Sequence, residues 1–104
     1  MRESDVERYL VRRTKEAGGE IRKVRWVGRR GAPDRLVMLP GVTIWVELKR
    51  PGGVTQPHQE REHGKLKKMG QQVVVIDSKQ AIDTLFKEIQ HDSKKEVRRC
   101  TGKS

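Results

Sequence analysis

The stretch Pro33-Asp34-Arg35-Leu36-Val37-Met38-Leu39-Pro40-Gly41-Val42-Thr43-Ile44-Trp45-Val46-Glu47-Leu48-Lys49-Arg50 decides the fold. Two runs rich in apolar residues, 34–39 and 42–50, flank the turn dipeptide Pro40-Gly41, so the segment reads as a β-hairpin. With Leu39 facing Val42 across the turn, Asp34 falls opposite Glu47, and a four-residue loop on the same dipeptide keeps that register. Side chains alternate along a strand, so Lys49 shares the face of Glu47. The opposite face carries Val37, Leu39, Val42, Ile44 and Val46 and is the expected core face. Because Pro-Gly favours a type II turn over the primed turns of tight hairpins, the register depends on how that turn closes.

Two carboxylates and one amine thus converge on one patch. Like charges directly opposite each other destabilise a sheet, so something must offset them. One reading is that Lys49 neutralises two surface acids. The other is a divalent cation: hard carboxylate oxygens suit Mg²⁺ or Mn²⁺, and Lys49 would hold a water or balance developing negative charge.

Working outward, residues 5–17 predict a helix, with Val6, Leu10, Val11, Thr14 and Ala17 on one stripe and Ser4-x-x-Glu7 as a capping box. Gly18-Gly19 ends it. Residues 20–27 predict a basic strand and 28–33 a loop. A second helix begins at Pro57 behind Gln56 as its cap and runs to about Met69. Val73–Ile76 predicts a short strand covered on both faces, and Ser78 caps a third helix with Ile82, Leu85, Phe86 and Ile89 inward. The order αβββαβα predicts an α/β domain over 1–90, with a mixed sheet of about four strands flanked by helices. Residues 91–104, polar and rich in Lys and Arg, read as a basic disordered tail.

Composition narrows the function. The 104 residues hold 24 Lys plus Arg against 14 Asp plus Glu, a formal charge of +10. Residues 91–104 supply only a small part of that excess, so the domain itself is basic and nucleic acid is the leading partner. No apolar run approaches the roughly 20 residues of a membrane span, no secretory leader is visible, and the single Cys100 excludes a disulfide scaffold. A lone cysteine fits a reducing, cytoplasmic setting. Leu, Ile, Val and Phe together number only 24, so the core must be thin, and a second copy of the chain would help to cover it.

Gly31-Ala32-Pro33-Asp34-Arg35, Val46-Glu47-Leu48-Lys49-Arg50-Pro51-Gly52-Gly53, Gln59, Leu66 and Gly70 together resemble the virus-type replication-repair nuclease (VRR-NUC) domain. That family belongs to the PD…E-x-K superfamily of restriction-endonuclease-like folds, and the resemblance covers about residues 3–86. It implies that Asp34 and Glu47 ligate a catalytic Mg²⁺ or Mn²⁺ with the backbone carbonyl of Leu48, and that Lys49 positions or activates water. It also implies a helix-one acid and a helix-two glutamine. Glu7, on the stripe of Leu10 and Val11, is the first choice for the acid, with Glu3 one turn earlier as the alternative; the glutamine is Gln59. The other role open to Glu7 is the capping box with Ser4. Gln59 at the start of its helix lies where free N–H groups favour anions.

The expected nucleic-acid contacts are Lys23, Arg29 and Arg30 in the glycine-flanked loop, Arg35 after Asp34, and His63 one turn beyond Gln59. His58 and His63 are five residues apart with no Cys nearby, which does not suit a helical zinc site. Trp26 is assigned to the core rather than to base stacking. The resemblance therefore implies a Mg²⁺- or Mn²⁺-dependent DNA endonuclease, leaving 5′-phosphate and 3′-hydroxyl ends. It would act on branched DNA such as junctions or flaps, as a homodimer, and could be virus-encoded. The alternatives are a non-catalytic nucleic-acid-binding domain on the same fold and a basic adaptor for an acidic protein.

Overall fold

The hairpin forms with the predicted register. In the computed structural model, which describes residues 2–90, β2 (Arg35–Leu39) and β3 (Val42–Leu48) are antiparallel, with Leu39 opposite Val42, Val37 opposite Ile44 and Arg35 opposite Val46. Pro40-Gly41 makes the turn, and Gly41 takes φ +83°, the left-handed value that the third position of a type II turn requires. A type II turn therefore closes this hairpin without shifting its pairing.

The other elements follow the expected order. Helix α1 (Glu3–Glu16) leads to β1 (Glu20–Lys23), which pairs antiparallel with β2; α2 (Pro57–Lys68) crosses from β3 to β4 (Gln72–Ile76). Because a helix joins them, β3 and β4 run parallel. A third helix, α3, occupies 79–90. The sheet order is β1-β2-β3-β4, mixed, with helices on both faces. None of these helices is long and apolar enough to cross a membrane. The basic tail predicted over 91–104 lies outside the described residues.

The alternation along β2 and β3 sorts the two faces. Val37, Ile44, Val46 and Leu48 pack with Val6 and Leu10 of α1 and with Ile82, Leu85 and Phe86 of α3 in one core. The Ser78 hydroxyl accepts from the Ala81 N–H at 3.1 Å, so it caps α3 as predicted. Across the helix pair, Asp83 takes the Tyr9 hydroxyl at 2.5 Å and also pairs with Arg13, tying α3 to α1. The opposite face carries Trp45, against which Trp26 packs edge-on with ring centroids 6.3 Å apart. Trp26 is thus half-buried on this second face and not part of the main core.

Three local expectations change. The α1 start is held by the Asp5 carboxylate accepting from the Arg2 N–H at 3.1 Å, not by Ser4 with Glu7, because the helix begins two residues earlier than a Ser4 cap allows. β1 stops at Lys23 rather than Val27: the Val24 N–H still bonds the Asp34 carbonyl, but a turn at 27–28 then carries the chain off the sheet. β4 is an edge strand, and Val75 remains 45 % exposed because α2 does not cover that position.

Phe86 closes the thin core from the α3 side and is 2 % exposed, whereas Val27 is 96 % exposed. Phe86→Ala should cost about 3–5 kcal/mol in denaturant unfolding, enough to threaten a domain of this size. Val27→Ala should change stability by less than about 0.5 kcal/mol.

Candidate active site

The site grows from the far end of the hairpin. One residue past the last ladder pair, Asp34 turns its carboxylate onto β3, where Oδ2 accepts the Leu48 N–H at 2.9 Å. This bond sets Asp34 beside Glu47, the pairing that the register predicts. Glu47 lies on the α2 side of the sheet and is only 2 % exposed. Its Oε2 accepts from Gln59 Nε2 at 2.8 Å and lies 3.3 Å from Lys49 Nζ. Gln59 Oε1 in turn accepts from Lys49 Nζ at 3.0 Å and from the Gln56 N–H at 2.9 Å. A single glutamine therefore fixes the rotamers of both the acid and the amine, and its own position is fixed by the helix start.

The second oxygen is different. Glu47 Oε1 is buried and has no hydrogen-bond partner; His63 Nε2 stands 3.9 Å away and is equally unsatisfied. Burial and the neighbouring Asp34 carboxylate push the Glu47 carboxyl above the ordinary carboxylate range, and Lys49 offsets this only in part. Burial, with Lys67 and Lys49 nearby, holds His63 below the ordinary imidazole range. An orphaned carboxylate oxygen next to a second carboxylate is a donor set that fits a hard divalent cation, which needs only one or two protein carboxylates and fills its other positions with water. Among the described residues no group of three or more Asp, Glu, His or Cys side chains forms a metal cage.

Several predicted site residues are engaged elsewhere. Glu7 does not join the acid pair. Its Oε1 accepts from Arg35 Nη2 at 2.6 Å, on the α1 side of the sheet. The same bond removes Arg35 from the free nucleic-acid contacts: its side chain is 15 % exposed and also donates to the Asp34 carbonyl. His63 is 6 % exposed, so it faces Glu47 and not a surface phosphate, because its position on α2 points into the sheet. Arg29 is half-exposed but bonds Glu62 of α2 through Nε at 2.8 Å. Gly31 makes that contact possible: at φ +97° it sits so close to α2 that a Cβ would meet Glu62 Cγ at 2.7 Å and the His58 carbonyl at 2.8 Å. Lys23 and Arg30 are exposed, as expected of phosphate contacts.

Glu3, the alternative helix-one acid, lies on the site side. A cavity of about 420 Å³ is lined by Glu3, Lys49, Arg50, Gln56 and the 52–54 loop. The helical stripe favours Glu7 from sequence, but the end of α1, not its inner stripe, borders the site. The role of the 52–54 loop in shaping this cavity has no periodic signature and is missed by pattern reading.

No protein-family model matches the chain. It is 48 % identical over 79 residues to "Putative nuclease p44" of Acyrthosiphon pisum secondary endosymbiont phage 1, a match covering 75 % of this chain and 85 % of that protein. It also superposes on a solved VRR_NUC domain with a TM-score of 0.77 and 41 % identity, covering 82 % of this chain and 94 % of that one. The chain belongs to the VRR-NUC family. Its fold is thus that of the nuclease superfamily the motifs point to, and a VRR-NUC fold implies use of a divalent metal.

For the VRR-NUC site, the metal-free protein carries a buried charge that burial and Asp34 both disfavour. Glu47→Gln should therefore raise Tm in EDTA by several degrees, the range in which about 1 kcal/mol moves a domain of this size. The sign is checked by pH. A carboxyl whose folded pKa is raised favours the folded state when protonated. The gap between the variant and the wild type should be widest above that raised pKa and close as pH falls towards 4.5. Differential scanning calorimetry from pH 4.5 to 8 measures it.

Proposed function

We propose that this VRR-NUC chain is a metal-dependent DNA endonuclease that selects branched DNA by shape. The observation that carries the reading is the Asp34–Glu47 pair with an unpartnered, buried Glu47 oxygen and Lys49 held alongside. Such an acid pair in a protein of charge +10 would repel phosphate unless a cation intervened. A Mg²⁺ or Mn²⁺ ion held by Asp34, Glu47 and the Leu48 carbonyl would polarise a phosphoryl oxygen and acidify a water.

The chain's own groups supply the rest. Lys49 Nζ donates to Gln59 and forms an ion pair with Glu47, and among the described residues this leaves a donor for the attacking water or a non-bridging phosphate oxygen. Gln59 acts through Lys49 and Glu47 by fixing both. Glu3 is the favoured helix-one acid because it borders the cavity with Lys49, while Glu7 is bound to Arg35. Lys23 and Arg30 reach the phosphate backbone outside the site. Residues 2–90 are taken up by the sheet and the three helices around the site, which favours recognition of DNA by its shape. A homodimer would put two sites on two strands, and exposed Val54, Met69 and Val75 offer apolar surface for it. The phage relative supports a virus-encoded protein acting in the cytoplasm of a host cell.

Purified protein should nick a four-way junction or flap in Mg²⁺ or Mn²⁺ and leave it intact in EDTA. Lys49→Ala should keep DNA binding but lose about 10²–10³-fold in kcat. Glu47→Gln should abolish manganese uptake in calorimetry. Glu3→Gln should harm cleavage far more than Glu7→Gln. Cutting by Lys49→Ala at the wild-type rate would remove the mechanism, and DNA binding without cutting in any metal would leave a non-catalytic binding domain.

A further inference from the structure

The basic residues expected to grip nucleic acid are partly spent: Arg29 is bound to Glu62, Arg35 to Glu7, and His63 is buried. A different set stands open on the far side of the sheet. Along the outer face of α1, a cleft of about 500 Å³ is lined by Asp5, Arg8, Tyr9, Arg12 and Lys79. It holds three cations against one carboxylate, and that carboxylate already accepts the Arg2 N–H.

The way these cations are held matters more than their number. The Tyr9 ring is anchored by its hydroxyl to Asp83. Arg12 lies over the ring at 5.0 Å from the centroid, and Lys79 at 5.5 Å. A cation resting on an aromatic face is oriented without being neutralised, so its N–H donors remain available to an anion. Among the described residues Arg12 has one carboxylate nearby, Glu16 at 3.8 Å, and both side chains are mostly exposed, so that pair is weak. Arg13, by contrast, is consumed by Asp83. The cleft thus holds two cations oriented on the Tyr9 ring, with Arg8 exposed beside them, and none is strongly neutralised among the described residues.

Its place on the helix connects it to the site. Glu3 at the start of α1 borders the cavity beside Lys49, and Arg8 and Arg12 follow on the same helix. From Glu3 to Arg12 is nine residues, about 13 Å along the helix axis at 1.5 Å per residue and half a turn round it, so a strand passing from one to the other crosses the outer face of α1 over at least about four nucleotides at 3.4 Å each. We propose that the Tyr9-centred cleft is a second nucleic-acid site, in which Arg8, Arg12 and Lys79 grip the phosphodiester backbone a few nucleotides beyond the cleaved linkage. The proposal rests on the nuclease reading and assigns part of the path of the DNA: beyond the contacts of Lys23 and Arg30, the backbone also leaves the active site along α1.

The test is equilibrium binding of a fluorescent junction by the full chain in EDTA, across a salt series. Each lost phosphate contact lowers the slope of log K against log salt by about 0.9. Arg8→Gln/Arg12→Gln/Lys79→Gln should lose at least about tenfold in affinity at 150 mM salt and roughly 2–3 from the slope. The charge-matched variant Lys65→Gln/Lys67→Gln/Lys68→Gln, on the opposite side of the sheet, should change both far less. Arg8→Gln alone, a substitution on the exposed surface, should lower the slope by about 0.9 with unchanged thermal unfolding, which separates contact from fold. Equal slopes for the wild type and the triple cleft variant, or equal losses in the two triple variants, overturn the proposal. Failure of the nuclease reading shows differently: the wild type itself would not bind DNA, or would not cut it in Mn²⁺.

Discussion

Glu47 is a carboxylate almost sealed from water, with another carboxylate for a neighbour and one of its oxygens unpartnered. A sheet does not gather charge in this way for stability, since each feature raises the free energy of the ionised folded state. The rest of the structure can be understood as what holds that arrangement in place. The Leu48 N–H fixes Asp34, Gln59 fixes the other Glu47 oxygen, and Lys49 supplies the partial neutralisation. The apolar core beneath, from Val6 and Leu10 through Val46 and Leu48 to Phe86, supplies the stability that the site gives up.

The two faces of the sheet divide the labour. α1 and α3 cover one face and form the core. α2 packs on part of the other, and it serves as a carrier of polar groups: Gln59 and His63 towards Glu47, Glu62 towards Arg29. The same helix therefore shields the carboxylate from water and latches the loop that leads into Asp34. A residue as plain as Gly31 becomes structural here, since any side chain would push that loop off α2. On the core side, the Tyr9–Asp83–Arg13 cluster locks α1 to α3 and so fixes where the N-terminal end of α1 meets the site.

Basic charge also sorts into distinct kinds once the chain is folded. Arg13, Arg29 and Arg35 are bound to carboxylates and contribute little field to a ligand. Arg12 and Lys79 rest on the Tyr9 ring yet stay open, and Arg8 lines the same cleft. A formal charge of +10 therefore says that a polyanion is a fitting partner without saying which surface receives it.

The period-two alternation of 34–50 and the Pro40-Gly41 turn were enough to set the hairpin register, the core face and the meeting of Asp34 with Glu47, because a one-residue slip would have turned every apolar side chain outward. The helix order, the Ser78 cap and the αβββαβα topology were legible for the same local reasons. The sequence did not reveal which charges find partners across long separations. On paper Glu7, on its helical stripe, is the better acid, and Glu3 at the helix end is the alternative. The crossing of α1 over β2 gives Glu7 to Arg35 and leaves Glu3 beside Lys49. Burial of His63 and exposure of Val75 likewise depend on how far α2 reaches across the sheet. Local patterning determines which face a side chain takes, but only the packing of helices on the sheet decides what it meets there.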